Sequence, residues 1–105
     1  MTKVIIDPGI CGFITNVAAD SADGETVAIQ VGSGCGGVMK MASELAGELD
    51  PFEVCLKKGG NGPVYDSART CCPHAACPVP AGIIKCVEVE CNLALPKEAS
   101  IRFEK

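Results

Sequence analysis

The sequence predicts a single α+β domain: a two-layer sandwich whose mainly antiparallel sheet is covered by two main helices. Three observations lead there. Short β-branched runs separated by turn signals fill the first third of the chain. Apolar residues then recur at helical spacing, once after position 37 and again after position 78. The length of 105 residues gives one domain, 1–105, with a modest core.

Lys3 to Ile6 is a β-branched run stopped by Asp7-Pro8-Gly9. Gly12 to Ala19 and Thr26 to Val31 read as two further strands, separated by Asp20-Ser21-Ala22-Asp23-Gly24, whose Asp-Gly pair signals a turn. In the third run Val27, Ile29 and Val31 alternate with Ala28 and Gln30, as in a half-buried strand. These three form a meander. Val38, Met41, Ala42, Leu45 and Leu49 then mark an amphipathic helix ending near Leu49. Asp50-Pro51 starts a short second helix, with Asp as N-cap and Pro in the first turn.

Gly59 to Pro63 reads as a loop, and Thr70 to Pro80 as a compact irregular stretch. From Val79 through Ile83, Cys86, Val87, Glu90, Cys91 and Ala94 the spacing is again helical. Ser100 to Phe103 is expected as a C-terminal strand beside the meander.

Composition narrows the function. A formal charge of −4 without a basic cluster speaks against nucleic acid. No apolar run approaches the roughly 18 residues of a membrane span, and the N-terminus reads as a first strand, not a signal peptide. A cytoplasmic setting is therefore expected, where thiols stay reduced. There, eight cysteines point to metal or redox chemistry more than to a disulfide framework.

Topology selects among these cysteines. The first and third strands of a meander run the same way, so Cys11, just past the first, and Cys35, just past the third, share one edge. A helix running back and a returning element bring Cys71, Cys72, His74 and Cys77 to that edge. Cys35 and Cys77 would then lie at helix N-termini, where thiolate is favoured. The expected ligands are Cys11, Cys35, Cys72 and Cys77, with Cys71 and His74 as alternates. Four such ligands suit tetrahedral zinc or an iron–sulfur cluster. The Cys72-x4-Cys77 spacing matches neither a zinc knuckle nor a common ferredoxin run.

Other features have plainer readings. Cys55, Cys86 and Cys91 fit as small apolar filler. Glu44, Glu48, Glu88 and Glu90 read as solvated helix faces. Gly32-x-Gly34-x-Gly36-Gly37 resembles an anion cradle but lacks the Lys-Ser/Thr pair of a P-loop.

The segments Asp7-Pro8-Gly9-Ile10-Cys11-Gly12-Phe13, Gly34-Cys35-Gly36 and Cys77-Pro78-Val79-Pro80 together resemble a small cysteine-containing domain family of anaerobic bacteria and archaea with no established function. The resemblance spans most of the chain. It implies an oxygen-poor cytoplasm and supports Cys11, Cys35 and Cys77, but it brings no activity. Two other functions compete with metal binding. One is a thiol redox protein or enzyme with Cys35 as nucleophile and Cys11 or Cys77 resolving. The other is a scaffold or interaction domain, binding a protein partner, whose cysteines only pack.

Overall fold

The computed structural model describes residues 1–104. Three strands form an antiparallel sheet in the order β1 (Thr2–Ile6), β2 (Thr15–Asp20), β3 (Ala28–Ser33). Four helices follow: α1 (Gly36–Glu44), α2 (Pro51–Cys55), α3 (Pro63–Cys71) and α4 (Val79–Glu90). Register fixes which ends meet. Thr15 faces Ile6 on one side and Ser33 on the other, so the chain leaves β1 and β3 at the same end of the sheet.

One sheet face is the core. Ile6, Val17, Ala19 and Val27 point inward, against Val38, Met41 and Leu45 of the α1 segment and Val79, Ile83, Cys86 and Val87 of α4. Helix α4 lies over β1 and β2, and α1 over β3. Gly82 permits the close approach of α4, since a Cβ there would overlap the end of the Ile6 side chain. The opposite face carries Lys3, Asn16, Ala28 and Gln30, all exposed.

Several expectations need correcting. Ser100 to Phe103 is not a strand: no strand follows β3 among the described residues, and Ile101 and Phe103 are 86 % and 90 % exposed. Strand propensity there is not matched by a pairing partner, and propensity without pairing does not make a strand. The short helix expected at Asp50-Pro51 is α2, with Asp50 as its N-cap, and the unexpected helix is α3, which lies mostly between the stretch read as loop and the one read as irregular. Helix α1 stops at Glu44, and the chain then turns at Gly47, which has a φ of 96°. Leu49 therefore leaves the helix and pairs with Val27, each N–H donating to the other's carbonyl at 2.8–3.0 Å.

Glu90 is not a solvated helix residue. Its side chain is only 10 % exposed, and its carboxylate accepts from the Thr2 hydroxyl at 2.8 Å and the Ser21 N–H at 3.0 Å. These bonds hold its pKa below the usual carboxylate value, Thr2 contributing most and Ser21 next. The pair of bonds clips the end of α4 to the start of β1 and the end of β2.

Candidate thiol and metal site

Cys35 is the N-cap residue of α1 in extended conformation. Its N–H is held by the Ser33 hydroxyl at 3.1 Å, and its carbonyl accepts from Met39 N–H at 3.0 Å. Ser33 is in turn fixed by the buried Thr15, whose hydroxyl donates to the Ser33 oxygen at 2.9 Å. The sheet end thus sets the backbone of Cys35. Two glycines beside it serve packing. A Cβ on Gly34 would come within 2.9 Å of the Phe13 ring, and one on Gly37 would collide with the Cys71 carbonyl.

That last contact positions the second segment. It presses the C-terminal end of α3 and Pro73 against the first turn of α1. Cys71 and Cys72, adjacent in sequence, diverge here. Cys71 is the last residue of α3 and is buried, its sulfur 3.6 Å from the Thr70 hydroxyl and 4.0 Å from that of Ser67. Ser67 donates to Glu44 at 2.7 Å, which ties α3 to α1 and lowers the Glu44 pKa. Cys72 is the C-cap, half-buried, and its thiol donates to the His74 carbonyl at 3.6 Å.

The chain then turns, with Cys77 N–H donating to the same His74 carbonyl at 3.2 Å, and enters α4 two residues later. This turn brings Cys77 back to the hollow that Cys72 also lines. Burial pushes the Cys77 thiol up to about 11. The Val79 N–H at the start of α4 opposes that rise, and the Cys72 and Cys35 thiols add to it. Cys72, Cys77 and His74 share one hollow of about 230 Å³, with Tyr65, Ala68, Arg69, Ala75 and Pro80.

Two of the expected ligands, Cys72 and Cys77, therefore line one hollow, and Cys35 bears on Cys77 electrostatically. Cys11 is exposed on the loop after β1, and no hydrogen bond among the described residues involves its thiol. Among the described residues no three ligating side chains already surround a single point as a bound metal ion requires. Tyr65 and Arg69 were not anticipated. Their signal was the spacing of 65, 69 and 72, which shares one face once α3 is seen as a helix.

The remaining cysteines lie in the core. Cys86 is fully buried and donates to the Thr2 carbonyl at 3.3 Å, and Cys91 is 7 % exposed. Cys55 is half-buried, and burial pushes its thiol up to about 12, with Glu88 and Cys91 adding to the rise. Burial likewise raises Cys86 and Cys91.

A family of unknown function, DUF6951, matches residues 2–103. The chain belongs to that family. No curated protein and no solved structure matches it. Membership in DUF6951 supplies no activity, so the chemistry of the DUF6951 chain rests on its own side chains. Among the described residues no helix is long and apolar enough to cross a membrane.

Proposed function

We propose that the chain is a cysteine-ligated metal-binding protein of the cytoplasm, holding zinc or an iron–sulfur cluster through Cys35, Cys72 and Cys77, with Cys11 from the loop after β1 as the fourth ligand. The observation that supports this reading is that Cys72 and Cys77 line one hollow with His74, while Cys35, from a segment more than thirty residues earlier, bears electrostatically on Cys77. Thiolate is the soft ligand that both zinc and iron–sulfur clusters take. A thiol pushed up to about 11 is protonated at neutral pH, so metal capture has to release that proton. A cysteine sulfur moves about one torsion between staggered wells, and loading turns these thiols toward a common centre. Electron carriage, metal or cluster handling, and service as an accessory subunit all fit such a centre. The acidic net charge favours a protein partner over nucleic acid.

A second reading is favoured by the same shared hollow. Cys72 and Cys77, which line one hollow, would close a reversible disulfide, with Cys35 at the α1 N-terminus as an attacking thiol. The raised Cys77 suits it to the resolving role, not to attack.

Elemental analysis with a UV–visible spectrum, on protein purified without oxygen, separates the two. The metal reading expects near-stoichiometric zinc, or iron with sulfide, lost on Cys72→Ser or Cys77→Ser and kept on Cys55→Ser. Metal-free, folded protein that forms a Cys72–Cys77 disulfide under a defined redox buffer would overturn it in favour of the thiol pair.

A further inference from the structure

We infer that the free edge of β1 takes the segment Ile101–Glu104 of a second copy as an added antiparallel strand, the two copies exchanging these segments reciprocally. In strand addition to a sheet edge, backbone hydrogen bonds give affinity and alternate side chains give specificity. Both halves of such a contact are present and unpaired. β1 pairs with β2 on one side only, and among the described residues none of Thr2 to Ile6 makes a backbone–backbone hydrogen bond outside that ladder. An edge of this kind templates a further strand unless proline, charge or a covering element blocks it. β1 has no proline and a single charge. The incoming segment, Ile-Arg-Phe-Glu, alternates apolar with charged residues as a strand does, and Ile101 and Phe103 are both exposed.

One register satisfies both faces. With Ile6 opposite Ile101, Ile5 faces Arg102, Val4 faces Phe103 and Lys3 faces Glu104. Val4 and Ile6 lie on the core side of β1, with Val4 still half-buried, so Phe103 and Ile101 extend the core at its margin. Lys3 and Ile5 lie exposed on the open side. There Glu104 meets the Lys3 ammonium, and the apolar stem of Arg102 covers Ile5. A parallel alignment that keeps Lys3 beside Glu104 sets Phe103 against Thr2 and loses both apolar pairs. The other edge strand, β3, has no charged residue to meet Glu104, and Val27 just before it is already bridged to Leu49.

The chain's own segment does not reach this register. Ala94 N–H is held by the Glu88 carbonyl at 3.2 Å and Glu90 is bonded to Thr2, so the free chain starts beside the beginning of β1. Ile101 belongs at the far end of that strand, about 16 Å away. The stretch Leu95 to Ser100 extends about 20 Å at most, which leaves no residues for the reversal. From a second copy the segment enters at the Ile6 end directly, and two-fold symmetry makes each contact occur twice.

Sedimentation equilibrium of the full chain tests the exchange, in excess reductant so that the exposed Cys11 forms no disulfide. A reversible dimer is expected. Ile101→Asp combined with Phe103→Asp should raise its Kd by more than about tenfold, with the circular dichroism of the dilute monomer unchanged. Lys3→Glu and Glu104→Lys should each raise Kd about fivefold, two cross-strand pairs being lost per dimer, and the double reversal should restore it. Below that Kd, removal of the segment should leave stability as it is. A monomer at every concentration up to about 1 mM would overturn the exchange. So would a dimer indifferent to Ile101→Asp with Phe103→Asp, because the segment would then lie outside the interface. Single charge reversals without mutual rescue would overturn the assignment to β1 in this register.

Discussion

Gly37 faces the carbonyl of Cys71 so closely that no side chain fits between them. This contact joins the start of α1, which carries Cys35, to the end of α3, which carries Cys72. Gly37→Ala must push the two helices apart. It should cost about 1–3 kcal/mol, the usual penalty for overpacking. Gly36→Ala is the control, because its Cβ would meet nothing within 4 Å, and it should be neutral or slightly stabilising. Urea unfolding of both variants measures the difference. Metal content of Gly37→Ala, if it tracks the spacing of the thiols, should fall as well.

Alkali should destabilise the metal-free protein. Burial holds Cys55 at about 12 and Cys77 at about 11, and raises Cys86 and Cys91. Above about pH 9 the unfolded chain loses these protons while the folded chain keeps them. The stabilisation is complete below the unfolded pKa and is lost as pH climbs toward 11 and 12. Denaturation midpoints at pH 8, 9.5 and 11 should decline in that order. Cys55→Ala should flatten the decline, and a pH-independent midpoint would contradict the burial of these thiols.

Acid acts through Glu90. Its folded pKa is lowered by Thr2 and Ser21, so its contribution is present above the unfolded value near 4.5 and is lost as pH falls below it. Glu90→Gln should cost about 2 kcal/mol at pH 7, in keeping with loss of charge-assisted bonds. As pH falls from about 4.5 through the lowered folded pKa, the variant and the parent should converge. Thermal unfolding across pH 3 to 7 checks both statements.

The segment after Ala94 should contribute little to folding. Leu95, Ile101 and Phe103 are each at least 86 % exposed. Removal of the chain from Leu95 onward should leave stability within about 0.5 kcal/mol, as for surface changes generally. A larger loss in calorimetry would show that this segment packs in solution.

The meander was legible because β-branched alternation and the Asp-Gly turn agreed, and its register then placed the ends of β1 and β3 together. Cys35 as a helix-start residue followed from glycine on both sides of it and the change of period beyond. Helix α3 was obscured by the glycines before it and the Cys-Cys-Pro that ends it, although Val64, Ala68 and Cys71 have helical spacing. With α3 hidden, Cys71 and Cys72 could not be told apart. The helix sends one inward beside Ser67 and the other out to the hollow. The C-terminal strand failed for a different reason: composition records what a segment prefers, but pairing depends on a partner elsewhere in the chain.

The Glu90 clip and the thiol centre occupy opposite ends of β1, a strand of five residues and so roughly 16 Å long. Energetic coupling between sites usually fades beyond about 7–10 Å when they share no partner. Substitutions at the two ends should therefore add without cross-talk. Cys35, Cys72 and Cys77 can be substituted while Glu90, Thr2 and Ser21 keep the sheet and α4 together. A molecule fastened at one end lets selection change the cysteines at the other while the fold stays as it is.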